Sequence, residues 1–206
     1  MSRGLAFFGA FNPPTLAHVE LARYAGKRMQ APCVVFVPSK SEYITGQQHK
    51  EFAFSDAERL EMLEAVARQD PLLDVTDYEL RQPRQMYTYE TLCHLRDSGR
   101  QLSLLIGADK LMELGQKWRY VPQIAEEFGI VCMDRGEADT EEILRSDPVL
   151  RLLSEHIRLL HVPDDWKNVS STRVRACLRE GDAEALKALV PPEILPLLLL
   201  KQAARA

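Results

Sequence analysis

The stretch "LAFFGAFNPPTLAH", residues 5–18, decides the fold. Leu5 to Phe8 form a short uncharged run, as a strand covered on both faces does. Gly9 closes it at the carboxyl end, where backbone must come close to a ligand. Pro13 and Pro14 stiffen the turn that follows, and an amphipathic run opens at Val19. Thr15 and His18 stand one helical turn apart, so both can face a single point at the helix N-terminus. That end carries unpaired N–H groups and a partial positive charge. It is an anion site, and phosphate is the obvious anion.

The same alternation continues down the chain. Strand-like runs are Leu5–Phe8, Cys33–Val37, Leu73–Val75, Leu102–Ile106, Gly129–Met133 and Arg158–Val162. Helical patterns lie between them, over Val19–Met29, Asp56–Gln69 with Ser55 as cap, and Tyr89–Ser98 ending before Gly99. The order predicts an α/β fold with a doubly wound parallel sheet, whose ligands bind outside the carboxyl ends of the strands at the switch point. Residues 38–55 read as a long polar loop carrying Lys40, Gly46, His49 and Lys50, and loops of that length are more often functional than idle. Residues 134–148 read as an exposed loop plus a short helix. After Asp164 the pattern is helical, with caps expected at Ser171 and Asp182 and with Pro191 and Pro192 opening the last helix. This divides the chain into a Rossmann-like core over 1–165 and a C-terminal helical part over 166–206, packed as one domain.

Composition excludes several classes of function. The chain has 206 residues, 46% hydrophobic and 27% charged, enough for one sizeable core. Its net charge of −4 argues against sequence-independent nucleic-acid binding. The apolar run Ile194–Leu200 is broken by Pro196 and too short to span a bilayer, and no leader pattern is visible, so no membrane partner is expected. Cys33, Cys93, Cys132 and Cys177 form no CxxC pair and read as free thiols of a cytoplasmic protein. His94, His156 and His161 fall in helix or strand patterns and read as structural. A homo-oligomer is compatible with the sequence.

A second motif, "NVSSTRVR" at residues 168–175, follows an apolar strand and opens a helix. Ser170, Ser171 and Thr172 offer hydroxyls and N–H groups at another helix N-terminus, and Arg173 and Arg175 add charge. The pattern Gly9-x-Phe11-x-Pro13-x-Thr15-x-x-His18 resembles the signature of the nucleotidyltransferase superfamily with the (H/T)xxH motif. Its chance occurrence is on the order of 10⁻⁴ or less at ordinary residue usage. The second motif resembles that superfamily's SSTxxR box, with Arg175 in the place of its arginine.

Two further stretches narrow the resemblance. "MYTYETL" (Met86–Leu92) and "LLIGADKLMELGQKW" (Leu104–Trp118) are similar to the nicotinate/nicotinamide mononucleotide adenylyltransferase family. The resemblance implies that Gly107 and Asp109 follow a central strand, that Thr88 lines the mononucleotide pocket, and that Trp118 stacks on the pyridine ring. There are departures. The family's Pro-Pro-His-Lys loop is here "PSKSEYITGQQHKEF", so either Lys40 or Lys50 takes the phosphate role. Thr15 stands where many bacterial members have histidine, and Ala17 where they have glycine.

The implied reaction is attack by the acceptor's phosphate on the α-phosphorus of ATP, with release of pyrophosphate. A phosphate monoester is mostly dianionic at neutral pH, so no general base is needed and catalysis is positioning plus charge stabilisation. His18, Thr15 and Arg175 are the expected catalytic residues. Gly9, Ala10, Phe11, Lys40, Lys50, Ser170, Ser171 and Thr172 are expected to bind ATP, and Thr88, Gly107, Asp109 and Trp118 the acceptor. No metal ligands are expected, and Mg²⁺ arrives with ATP. The acceptor that the resemblance implies is nicotinate or nicotinamide mononucleotide. Two alternatives are another phosphorylated acceptor such as phosphopantetheine, and a catalytically weak nucleotide-binding sensor.

Overall fold

The computed structural model describes residues 3–42, 54–134, 136 and 139–203. Six strands form one parallel sheet: β1 Gly4–Gly9, β2 Val34–Pro38, β3 Leu73–Val75, β4 Leu102–Gly107, β5 Ile130–Asp134 and β6 Ile157–His161. Each lies within one residue of its expected ends. The order β3-β2-β1-β4-β5-β6 is that of a doubly wound nucleotide-binding fold. All of β2 is buried, the state that its unbroken apolar run requires.

Helices cover both faces. On one side Leu5, Phe7, Val34 and Phe36 pack with α1 (Leu16–Arg28), α2 (Asp56–Ala67) and residues of the C-terminal helices such as Val174, Leu186 and Leu198. On the other, Ala6, Val35, Leu104 and Ile106 pack with α4 (Thr88–Asp97), α5 (Ala108–Lys117) and a segment of α- and π-helical turns at Val121–Gln123 and Ile124–Phe128. A short helix α3 (Tyr78–Arg81) links β3 to α4. Two short helices, α6 (Thr140–Ser146) and α7 (Pro148–Leu152), precede β6. Among the described residues no helix is long and apolar enough to cross a membrane.

Several helix ends differ from expectation by a few residues, and the caps explain the largest differences. Helix α1 begins at Leu16 rather than Val19, because Thr15 and His18 form a capping box in which an imidazole replaces the usual carboxylate. Helix α8 (Ser171–Glu180) is capped by Ser170, whose hydroxyl accepts from the Arg173 amide at 3.2 Å, and Ser171 is its first helical residue. Asp182 caps α9 (Ala183–Lys187) as expected. Helix α10 starts at Leu195 with Pro196 in its first turn, a place where a missing N–H costs nothing. Pro191 instead begins a turn in which its carbonyl accepts from Ile194.

Candidate active site

The sheet's connections diverge between its neighbours β1 and β4. Gly9 and Gly107 end those two strands. A Cβ on Gly9 would meet the Phe11 ring at 2.9 Å, so this glycine makes room for a core aromatic as well as for close backbone approach. A Cβ on Gly107 would meet Asp109 Oδ1 at 2.6 Å, so the Asp109 carboxylate folds back over the end of β4.

Thr15 is 0% exposed, and its side chain faces His18. Its hydroxyl accepts from the His18 amide and lies 2.9 Å from His18 Nδ1, while its own N–H donates to that nitrogen at 3.1 Å. With Nδ1 an acceptor, the neutral imidazole carries its proton on Nε2 and can donate there. Phe11, 2% exposed, packs edge-on against His18 at 5.2 Å and joins Phe7 and Phe36 in the core. Its ring is a buttress to the histidine.

The two motifs meet. Ser171 Oγ donates to the Pro13 carbonyl and Arg175 to the Asn12 carbonyl, both at 2.8 Å. Arg175 also reaches Thr172 Oγ1 at 3.3 Å. The hydroxyls of Ser170, Ser171 and Thr172 are therefore engaged within the protein. The amides of Ser171 and Thr172 have no acceptor inside α8 and are the groups left to meet an anion. The N-termini of α1 and α8 thus stand side by side, braced through the loop at 10–14.

A residue absent from the expected site holds this loop from the other side. Arg59 is fully buried. Its guanidinium donates to the Ala10 and Ser39 carbonyls and pairs with Asp56 at 2.6 Å. Burial lowers its pKa against the pull of Asp56. Burial works against the Asp56 carboxylate too, but Ser41 and Arg59 hold it below the usual range. A sequence signal existed: Arg59 is in helical phase with the buried Met62, Leu63 and Val66.

Lys40 follows β2, and its ammonium donates to the carbonyls of Leu80 at 3.1 Å and Gln82 at 2.8 Å. Lys50, the other candidate, lies outside the described residues, as do Gly46 and His49. Thr88 opens α4 and Trp118 ends α5, half-buried against the second core. Beside them Tyr87, 40% exposed, has the guanidinium of Arg119 at 5.0 Å and that of Arg84 at 5.9 Å over its ring. Among the described residues no three His, Cys, Asp or Glu side chains form a metal site. Burial pushes the Cys132 thiol up to about 12, so it is no nucleophile at neutral pH.

A family model described as Cytidylyltransferase-like matches residues 6–177. The chain belongs to this family. Every expected site residue from Gly9 to Arg175 lies inside the matched span. A relative from Clostridium acetobutylicum, named a probable nicotinate-nucleotide adenylyltransferase, is 30% identical over 200 residues, 94% of each chain. One of the same name from Clostridium tetani is 28% identical over 194 residues, 93% of each. Within the cytidylyltransferase-like proteins, the chain therefore falls among the nicotinate-nucleotide adenylyltransferases. A solved structure of Plasmodium falciparum nicotinic acid mononucleotide adenylyltransferase complexed with NaAD shares the fold, with a TM-score of 0.74 at 16% identity. The match covers 98% of this chain and 96% of that one.

Proposed function

We propose that this protein transfers the adenylyl group of ATP to nicotinic acid mononucleotide and releases pyrophosphate, a step of NAD biosynthesis. The acceptor's phosphate oxygen forms a bond to the α-phosphorus as the bond to the β-bridging oxygen breaks. The electron pair leaves on pyrophosphate. One observation carries the reading: two helix N-termini are joined at the switch point by Arg175 and Ser171 bonding to the loop that precedes His18.

His18 donates from Nε2 to the phosphoryl group as charge builds on it, and Thr15 sets that tautomer. Arg175 and the first amides of α8 hold the leaving pyrophosphate. Backbone at Gly9 and Ala10 lines the nucleotide. Lys40 is occupied by helix carbonyls, which favours Lys50 as the lysine that meets the triphosphate. Mg²⁺ enters on the phosphates of ATP, which suit its preference for phosphate oxygens and water. Trp118 stacks on the pyridine ring, Thr88 contacts the mononucleotide, and Gly107 with Asp109 borders the pocket. Buried thiols such as Cys132 and Cys177 suit a reducing compartment such as the cytoplasm.

A pyrophosphate-release assay with Mg·ATP tests this against nicotinic acid mononucleotide, its nicotinamide analogue and phosphopantetheine. Turnover should be greatest with the first. Preference for phosphopantetheine, or binding of ATP with no turnover on any acceptor, would overturn it.

A further inference from the structure

Glu79 is 1% exposed and sits in α3, between β3 and the acceptor side. Each of its oxygens has a donor. Thr91 Oγ1 of α4 donates at 2.8 Å and Gln85 Nε2 at 2.6 Å. Gln85 continues the chain, since its Oε1 accepts from the Lys40 N–H at 3.1 Å. Hydrogen bonds therefore run from the loop after β2, through Gln85, to Glu79 and on to α4. Gln85 stands just before Thr88, and Thr91 one turn after it.

The chain of bonds has a direction. The Lys40 N–H can only donate, so Gln85 presents its carbonyl oxygen there and its amide nitrogen to Glu79. The ionised Glu79 carboxylate accepts that bond as a charge-assisted one. A proton on the oxygen facing Gln85 sets two donors against each other. A proton on the other oxygen must be taken up by Thr91, and it leaves Gln85 an uncharged, weaker acceptor. Turning the Gln85 amide over only moves the conflict to Lys40.

Burial pushes the Glu79 carboxyl up to about 7, the two donors offsetting only part of the lost hydration. The charged groups around α3 are otherwise engaged. The Lys40 ammonium is on the Leu80 and Gln82 carbonyls, and Arg81 pairs with Asp77 at 2.5 Å on the exposed side. From α4, His94 stacks on Tyr78 at 3.7 Å.

We propose that Gln85, held by Glu79, is a positioning residue that ties the Thr88 segment to the loop ending β2 and so keeps the acceptor's half of the site at one spacing from the nucleotide's half. This rests on the reading that Thr88 and Trp118 line the acceptor pocket.

The test is steady-state kinetics with Mg·ATP and nicotinic acid mononucleotide, from about pH 5.5 to about pH 9, on the wild type, Gln85→Leu, Glu79→Gln and Trp118→Ala. Gln85→Leu should raise the acceptor KM roughly tenfold at alkaline pH, as for a lost bond to a charged group, and leave the ATP KM and kcat within about threefold. In the wild type the acceptor KM should rise as pH falls through about 7, because Glu79 takes up its proton there and the bridge weakens. Gln85→Leu should lack that rise. Groups outside the bridge, the acceptor's phosphate among them, are common to both proteins, so the difference between the two profiles belongs to Glu79. Glu79→Gln should behave like Gln85→Leu; if it does not fold, the half-buried Gln85 position still decides. A Gln85→Leu profile equal to the wild type's, with Trp118→Ala raising the acceptor KM, overturns the bridge alone. Equal rises in both KM values reduce Gln85 to a general brace and overturn it too. An acceptor KM that none of the variants moves overturns the pocket assignment and the proposal with it.

Discussion

The two halves of the site are held by different chemistry. On the proposed phosphate half, side chains grip backbone. Arg175 holds the Asn12 carbonyl, Ser171 that of Pro13, and Arg59 those of Ala10 and Ser39. On the proposed acceptor half, side chains also hold one another. Tyr89 stacks on Tyr120 at 5.3 Å, Arg119 lies over Tyr87, and Gln85 links the Glu79 carboxylate to the Lys40 backbone N–H. Backbone looks alike under most sequences, so the first arrangement suits a ligand part that never changes, the triphosphate. The second changes with every side-chain replacement, which suits the part of the ligand that sets specificity.

Three substitutions probe that contrast, from the largest expected effect to the smallest. His18→Ala should lower kcat by 10²–10³, about 3–4 kcal/mol, the size of a lost oxyanion donor. ATP binding should weaken far less, because the braced loop and helix ends remain. Near-normal turnover would remove His18 from the chemistry. Arg59→Met should lower stability by about 2–3 kcal/mol, less than a fully buried pair would lose because Asp56 is 32% exposed. Its kinetic signature should be a raised ATP KM, since the Ala10 loop loses its anchor. A raised acceptor KM in its place would blur the division between the halves. Trp118→Ala should raise the acceptor KM by a stacking interaction of about 1–3 kcal/mol and leave the ATP KM unchanged. Should only the melting temperature fall, Trp118 is core and the pyridine site lies elsewhere.

Much of this was legible in local patterns. The strands announced themselves as short apolar runs because each is covered on both faces. The two capped helix ends were visible as motifs because Thr15, His18 and Ser170 act within one turn of their own helices. The direction of individual side chains was not legible in the motif. Thr15 and Phe11 belong to the first motif, yet the structure buries both, one as a cap and one as a ring against His18. Membership in a motif named the neighbourhood without saying which atoms face the ligand.

The sequence by itself therefore determined the strand and helix order, the place of the switch point and the caps of the two helix ends beside it, since each depends on residues a few positions apart. Tertiary structure alone decided which carbonyls anchor the site. Arg175 reaches Asn12 across 163 positions, Arg59 reaches Ala10 across 49, and Lys40 reaches Gln85 across 45. Helical phase marks Arg59 as inward-facing and a motif marks Arg175, but neither pattern names the distant backbone atom that the side chain meets. That partner is set only when the sheet closes and burial obliges every polar group to find one.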